Sequence, residues 1–474
     1  MPHDHISTLI VGAGPTGLGA AWRLDALGRS DWCLCEAGAT FGGLAGSCVD
    51  EEGFTWDFGG HVQHSHYDYF DTLMDDLLGP EGWLSHERQS WIWIQGRFVP
   101  YPFQLNLHRL PAADRDECLA GLRAVAGAPS PGPSANFGAW IDATFGAGIA
   151  RLFMRPYNTK VWACPPEELD WAWIGDRVAV VDLARVLANI AANRDDVSWG
   201  PNTRFRFPRR GGTGVVWRTL GERLQRTGAG AVRLGRRLVS LETSRRMAHF
   251  EDGTSLEYER MLSTIPLDLL VGMSDRRGPL GAAASGLRHT STHVFGIALQ
   301  GAPGAALTGK CWMYFPEPTC PFYRVTVFSH YSPFNVPDAD RYWSLMAEVS
   351  ETDRAGVSVD ALREDVARRL VQAGLITSRA QIHHIWHRRL AYGYPLPSLR
   401  RDEALGAILP ALESSGVYSR GRFGAWKYEV SNQDHSFAQG VELVDRWLTG
   451  SAERTLHDAG GVNTPGRGRA RHGT

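Results

Sequence analysis

The hexapeptide Gly12-Ala13-Gly14-Pro15-Thr16-Gly17 constrains this chain more than any other feature, because it follows a short apolar run, Thr8 to Val11, and opens a helix-like stretch, Gly17 to Leu27. A G-x-G-x-x-G turn between strand and helix brings backbone N–H groups and a helix N-terminus to one point, an arrangement that receives a pyrophosphate. Gly12 then makes the tight turn, Gly14 lets phosphate approach the backbone, and Gly17 lets the helix pack closely. Trp32 to Glu36 reads as the next strand. Glu36 ends it about twenty residues beyond the motif, where a carboxylate bonds a ribose hydroxyl and disfavours a 2'-phosphate. The opening is therefore β-turn-α-β, the start of a doubly wound α/β sheet. These residues leave open whether the dinucleotide is FAD or NAD.

At 474 residues the chain exceeds one hydrophobic core, so several units are expected. Phe54 to Phe58 and Trp91 to Val99 alternate as strands, the second forming a hairpin about Gln95-Gly96. Trp91, Trp93 and Phe98 read as core. Pro129 to Ser134 is a proline and glycine linker, and Phe137 to Phe153 and Leu183 to Asn193 have helical spacing. Strand-like runs return at Val232 to Glu242, His293 to Gln300, Cys311 to Phe315, Tyr323 to Phe328 and Tyr342 to Val349. Asp360 to Ala373 reads as a helix, and Gly416 to Phe423 then Asp434 to Leu448 as strand and helix. The expected division is a discontinuous dinucleotide-binding unit at 1–90, 199–262 and 396–458; a mainly helical substrate unit at 105–198; a β-sheet unit at 91–104 and 263–395; and a disordered tail at 459–474.

With Lys+Arg 49 against Asp+Glu 51, no global field attracts nucleic acid or anionic lipid. Met1 to Ser7 is polar and Thr8 to Val11 is too short for a signal core or membrane span, so a soluble, cytoplasmic protein is expected. Seven cysteines, an odd number, suggest free thiols, with Cys33 and Cys35 packed in the core. His61, His64 and His66 match no zinc spacing, so no metal is expected.

Glycine-rich Phe41-Gly42-Gly43-Leu44, Pro208-Arg209-Arg210-Gly211-Gly212 and Gly421-Arg422 are distributed as in flavoproteins of the amine-oxidase and sugar-mutase group, which the chain resembles. More specific strings are Gly60-His61-Val62, Ser65-His66-Tyr67, Val99-Pro100-Tyr101-Pro102-Phe103-Gln104, Phe153-Met154-Arg155-Pro156-Tyr157-Asn158, Lys160-Val161-Trp162-Ala163, Gly175-Asp176-Arg177-Val178-Ala179, Cys320-Pro321-Phe322-Tyr323-Arg324 and Asn432-Gln433-Asp434-His435-Ser436-Phe437. They run through nearly the whole chain in order and resemble the eukaryotic-type UDP-galactopyranose mutases. That resemblance implies a Rossmann-like FAD-binding domain with a helical insertion and an antiparallel β-sheet domain. It also implies an isomerase that uses reduced FAD covalently: flavin N5 displaces UDP from the sugar, the adduct opens and recloses as a furanose, and no net redox change occurs. The helix near Asp434 would place its N-terminus against the flavin pyrimidine.

The resemblance assigns residues. Gly12, Gly14, Thr16, Gly17, Glu36, Gly43, Leu44, Gly60, His61, Val239, Arg422, Asn432, Gln433 and Ser436 would hold FAD, with His61 beside N5 and Arg422 near the ring. Arg177 and Arg324 would grip the diphosphate, a task suited to planar guanidinium donors. Tyr101, Phe103, Gln104, Asn158 and Trp162 match the uridine neighbourhood; His64, Asn202, Tyr314, Tyr331, Tyr394, Tyr428 and Asn432 match the diphosphate and sugar surroundings. Arg88 and Ser90 match contacts to NADPH or NADH, the implied reductant. Arg177, next to Gly175, is expected on a mobile loop.

Several positions depart from the family pattern. His64 replaces a phenylalanine and Gln63 an aliphatic residue, which suits the wall to a different hydroxyl pattern, since a polar wall selects hydroxyl patterns. His330, Phe334 and Ser431 also differ. Competing readings are an amine-oxidase-like oxidoreductase and a non-catalytic flavin-binding protein; a homo-oligomer is compatible with all of them.

Overall fold

Each of the two large sheets has seven strands and buries a core of its own. The computed structural model describes residues 4–128, 134–180, 182–198, 203–227, 230–352 and 358–463.

In the first sheet Asp4–Val11 lies between Ser255–Ser263 and Trp32–Cys35, parallel to both. Flanked on both sides, its Leu9 and Ile10 are fully buried, as a central parallel strand requires. Ala231–Arg233 extends the sheet beyond Trp32–Cys35; Met247–Phe250, Leu238–Glu242 and the short Val417–Ser419 complete it on the other side. Helices Pro15–Ala26 and Gln433–Thr449 lie backbone to backbone over this sheet. Two glycines permit the approach: a Cβ on Gly19 would stand 2.4 Å from Phe437 O, and one on Gly440 2.0 Å from Thr16 O. The late helix therefore begins beside the early glycine turn.

The second sheet runs Ile382–Pro395, His289–Gln300, Tyr342–Glu351, Arg324–Val327, Trp312–Tyr314, Ser90–Ile94, Arg97–Pro100. Its pairings are antiparallel except that between Trp312–Tyr314 and Ser90–Ile94. Gln95 and Gly96, at φ 50° and 73°, turn the last hairpin as its sequence predicts. Between the sheets in sequence, helices Ala112–Ala126, Phe137–Ile149, Arg155–Trp162 and Leu183–Ala191 close a third core around Phe103, Phe153, Trp162 and Trp173. The class is mixed α/β with a helical insertion.

Some expectations need correction. The run Val232 to Glu242 is two strands, broken where Gly235 takes φ 70°. Phe137 to Phe153 is not one regular helix: Gly146 sits at φ 71° against Gly121, and Ala150–Met154 is a π-turn. Residues 459–463, expected disordered, form a helical turn, Ala459–Asn463, with Val462 buried. The remaining tail and residues 129–133 of the linker lie outside the described residues. All seven cysteines are free thiols, and the Sγ atoms of Cys33 and Cys35, both buried, are 3.8 Å apart.

Candidate active site

The glycine turn forms one end of a cavity of about 700 Å³, a size suited to a small-molecule cofactor. Gly12 takes φ +104°, and a Cβ on Gly17 would fall 1.8 Å from Gly12 O, so both positions demand glycine to build the turn. Gly14 differs. A Cβ there would meet nothing nearer than Gly42 O at 3.8 Å, so the fold does not demand glycine there and its outer face is open to the cavity. Glu36 borders the same space, its carboxylate accepting from the Ala13 and Gly38 backbone N–H groups at 2.7 Å each. The start of the Gln433–Thr449 helix adds Asn432, Gln433 and Ser436 to the wall. Gln433 is fixed there by Trp217 Nε1 (2.6 Å) and Gln63 Nε2 (3.0 Å), which both donate to its Oε1. An open glycine backbone, a helix N-terminus and a carboxylate on one wall fit a dinucleotide extending from Gly14 towards His61.

At its far end the cavity meets a second chamber of about 280 Å³; Gly60, Val62, His64, Arg324, Tyr428 and Asn432 line both. Arg88, Arg177 and Arg324 face this second chamber and, among the described residues, no Asp or Glu lines it, a lining suited to an anion. Arg324 is anchored by Glu348, a buried acid that accepts from its Nε and, at 2.8 Å, from Nη2. Burial would raise the Glu348 pKa, but Arg324 holds it below the usual range. Tyr323 OH (3.2 Å) and Gly60 N (3.4 Å) donate to the same carboxylate. Arg177 donates to Glu429 O and lies over the Tyr428 ring, 5.3 Å from its centroid. Arg422 bonds Gly393 O and Ser431 and covers Tyr394.

His61 and His64 are neutral at neutral pH: burial pushes each down to about 4. The Nδ1 atoms of both are buried without a hydrogen-bond partner among the described residues. His64 Nε2 lies 3.4 Å from Asn432 Nδ2. Behind them His66 Nδ1 donates to Asp434 Oδ2 at 2.7 Å. Burial would raise Asp434, yet His435 and His66 hold it well below the usual carboxylate range. His66, Asp434 and His435 gather ligand atoms within 4.8 Å, but the two rings stack at 4.7 Å and 20°, so their planes do not converge on one ion.

Comparison with known proteins decides the family. A solved structure of reduced UDP-galactopyranose mutase is 45% identical and superposes with a TM-score of 0.92, over 97% of this chain and 99% of that one. The chain belongs to the UDP-galactopyranose mutase family. The NAD(P)-binding Rossmann-like domain profile matches residues 10–77. A putative protoporphyrinogen oxidase from Exiguobacterium sp. 255-15 (16% identity, TM-score 0.70, 94% of this chain, 99% of that) and a putrescine oxidase bound to putrescine (16%, 0.63, 94% and 100%) share the fold. As a UDP-galactopyranose mutase family member the chain is an isomerase, and the amine-oxidase likeness is one of architecture.

In this mutase-family chain, the larger cavity brings together Gly12, Gly14, Thr16, Glu36, Gly43, Leu44, Gly60, His61, Arg422, Asn432, Gln433 and Ser436, together with His64, Arg324, Tyr394 and Tyr428. The second chamber gathers Arg88, Tyr101, Arg177, Tyr314 and Tyr331. Other expected residues lie off both walls. Gly17 is beneath the turn, and Ser90 is buried within its strand. Val239 is 44% exposed, at a register shift between Leu238 and Ser240. Phe103, Gln104, Asn158 and Trp162 are buried in the helical unit, where Gln104 bonds Ala179 O, Asn158 bonds Met154 O and Trp162 packs against Tyr428. Asn202 lies outside the described residues.

Sequence reasoning missed Glu348, Tyr323, His66 and Asn463 as site residues, although each borders a chamber. Glu348 carried a signal: it is the lone acid in Leu345-Met346-Ala347-Glu348-Val349, and an acid in a buried strand needs a cation. Asn463 carried none. Among the described residues no helix is long and apolar enough to cross a membrane.

Proposed function

We propose that this chain is a flavin-dependent nucleotide-sugar mutase interconverting the pyranose and furanose forms of a UDP-hexose, UDP-galactose or a close relative, without net redox change. The observation that carries the proposal is the shared wall: a dinucleotide-sized cavity opens onto an arginine-lined chamber through Gly60, His64 and Arg324. In the larger cavity the Gly14 backbone, Thr16, Gly43, Leu44, Gln433 and Ser436 would hold FAD, with Glu36 on its ribose. Reduced FAD would supply there an electron-rich nitrogen able to take the sugar while UDP is displaced.

The protein's own task is to bind and orient. Arg177 and Arg324 would take the diphosphate, balancing its charge as it leaves and returns. Glu348 keeps Arg324 in place. His61, neutral and buried beside Gly60, can accept or donate a hydrogen bond without adding charge. Tyr323, Tyr394 and Tyr428 line the cavity and would exclude water, and Arg422, held over Tyr394, would favour a reduced, electron-rich ring. Arg88 would contact NADPH or NADH as reductant, and Tyr101 and Tyr314 the uridine side. Arg177 would stay on Glu429 O and turn its remaining N–H donors to the diphosphate. A cytoplasmic location, where reduced nicotinamide is plentiful, suits this chemistry.

Dithionite-reduced protein incubated with UDP-galactose and a panel of other UDP-hexoses tests the proposal, with furanose and pyranose forms resolved by chromatography. Furanose from at least one sugar is expected; none across the panel refutes it.

A further inference from the structure

Asn463, near the end of the chain, borders the arginine-lined chamber. Asn463, at the end of the Ala459–Asn463 turn, lines that chamber together with Arg177, and the turn packs against the Gly175–Arg177 segment. Asn463 Nδ2 donates to Glu429 O at 3.0 Å and to Ala459 O at 2.8 Å. Arg177 Nη2 donates to that same Glu429 carbonyl. A carbonyl oxygen has two lone pairs, and these two donors occupy both.

The carbonyl is itself held from behind. Both terminal nitrogens of buried Arg401 donate to the Glu429 carboxylate, at 2.8 and 3.0 Å. Glu429 is thus a fixed post, with Arg401 gripping its side chain and Arg177 and Asn463 sharing its main chain. Val462 is buried beside Asn463 and ties the turn to the body of the protein.

We propose that Asn463 is a positioning residue for the nucleotide diphosphate: it fixes the Glu429 carbonyl and backs the Arg177 segment, so that the guanidinium presents its remaining N–H donors to the chamber. The carboxy-terminal turn is thereby part of the substrate site. This rests on the reading of Arg177 as a diphosphate ligand. Pre-organising one donor group lowers the ordering cost of binding, so removing the support is felt in affinity more than in the chemical step.

The test compares UDP binding to FAD-loaded wild type, Asn463→Ala, Asn463→Asp and a chain ended after Asp458, by titration of the protein's tryptophan fluorescence. Asn463→Ala is expected to weaken UDP, and to raise KM, by about three- to tenfold, the size of one hydrogen bond, with kcat changed less than about twofold. Asn463→Asp is expected to be worse, because a carboxylate cannot donate to Glu429 O and draws Arg177 to itself. The shortened chain should bind UDP at least as poorly as Asn463→Ala. In an Arg177→Ala background, Asn463→Ala should have no further effect. Unchanged UDP affinity in Asn463→Ala, an additive effect in the double variant, or loss of FAD from Asn463→Ala would each overturn the proposal, the last by making the turn merely structural. Wild-type protein that retains FAD but binds no UDP would overturn the mutase reading as well.

Discussion

Replacing Glu348 with glutamine isolates the electrostatic anchor of the substrate chamber. The substitution keeps the shape but removes the negative charge facing Arg324, whose side chain is 20% exposed against 2% for Glu348. The carboxylate accepts from Arg324 Nε, Arg324 Nη2 (2.8 Å), Tyr323 OH (3.2 Å) and Gly60 N (3.4 Å). An amide has one acceptor oxygen, and its NH₂ would face an arginine donor, so at least one charge-assisted bond is lost. Breaking a buried ion pair costs about 3–5 kcal/mol, and the partial exposure of Arg324 puts the expected loss near the lower end, about 3 kcal/mol. Urea unfolding of FAD-loaded wild type and Glu348→Gln should show that difference. Diphosphate supplies the missing countercharge, so UDP should raise the urea midpoint of the variant more than that of wild type. Equal stability together with an equal response to UDP would refute the pair as an anchor.

Gly14→Ala should fold as apoprotein with near-wild-type stability yet lose flavin, because only the ligand face of Gly14 is open; Gly17→Ala, whose Cβ would meet Gly12 O at 1.8 Å, should lose stability as well. Flavin content and urea midpoints of both check this. Stability should also respond to acid through the buried histidines. The ordinary histidine value of 6.5 falls to about 4 at both His61 and His64, so between those values the unfolded chain binds protons that the fold refuses, and stability is lost as pH falls through that window. Asp57 and Glu442, raised by burial to about 7 each, act with the opposite sign, so the diagnostic quantity is the difference between wild type and His64→Phe, whose urea midpoint should fall less steeply with acid. Identical pH slopes would count against a neutral, buried His64. The same variant should change the ratio of kcat/KM between UDP-hexoses by about tenfold or more, since a polar wall is exchanged for an apolar one; an unchanged ratio would remove His64 from the sugar's surroundings.

The glycine turn, Glu36 and the Gln95-Gly96 hairpin were legible because each depends on local geometry that few residues satisfy. The antiparallel strands containing His293, Val325 and Tyr342 were legible as apolar runs, though not their order. Ile382–Pro395, a 14-residue strand, was missed: it lies at a sheet edge with both faces partly exposed, so His383, Arg388 and Arg389 interrupt any period of two. The shared chamber wall was legible only through family resemblance, because nothing local ties Gly60 to Arg324 or Arg177 to Glu429. Phe103, Gln104, Asn158 and Trp162 came with their family motifs; their side chains are buried, off both chamber walls. The turn at Ala459–Asn463 escaped because glycine-rich composition outweighed one buried valine, Val462, and one polar anchor.

On the proposed function, a reduced flavin in the larger cavity rearranges a sugar held by the arginines of the smaller one and is regenerated unchanged. The most direct measurement is the amount of UDP-hexofuranose formed per reducing equivalent consumed, with the protein reduced once and then kept free of oxygen. Many product molecules per equivalent are predicted. One product per equivalent, or flavin oxidised in proportion to sugar converted, would contradict the account.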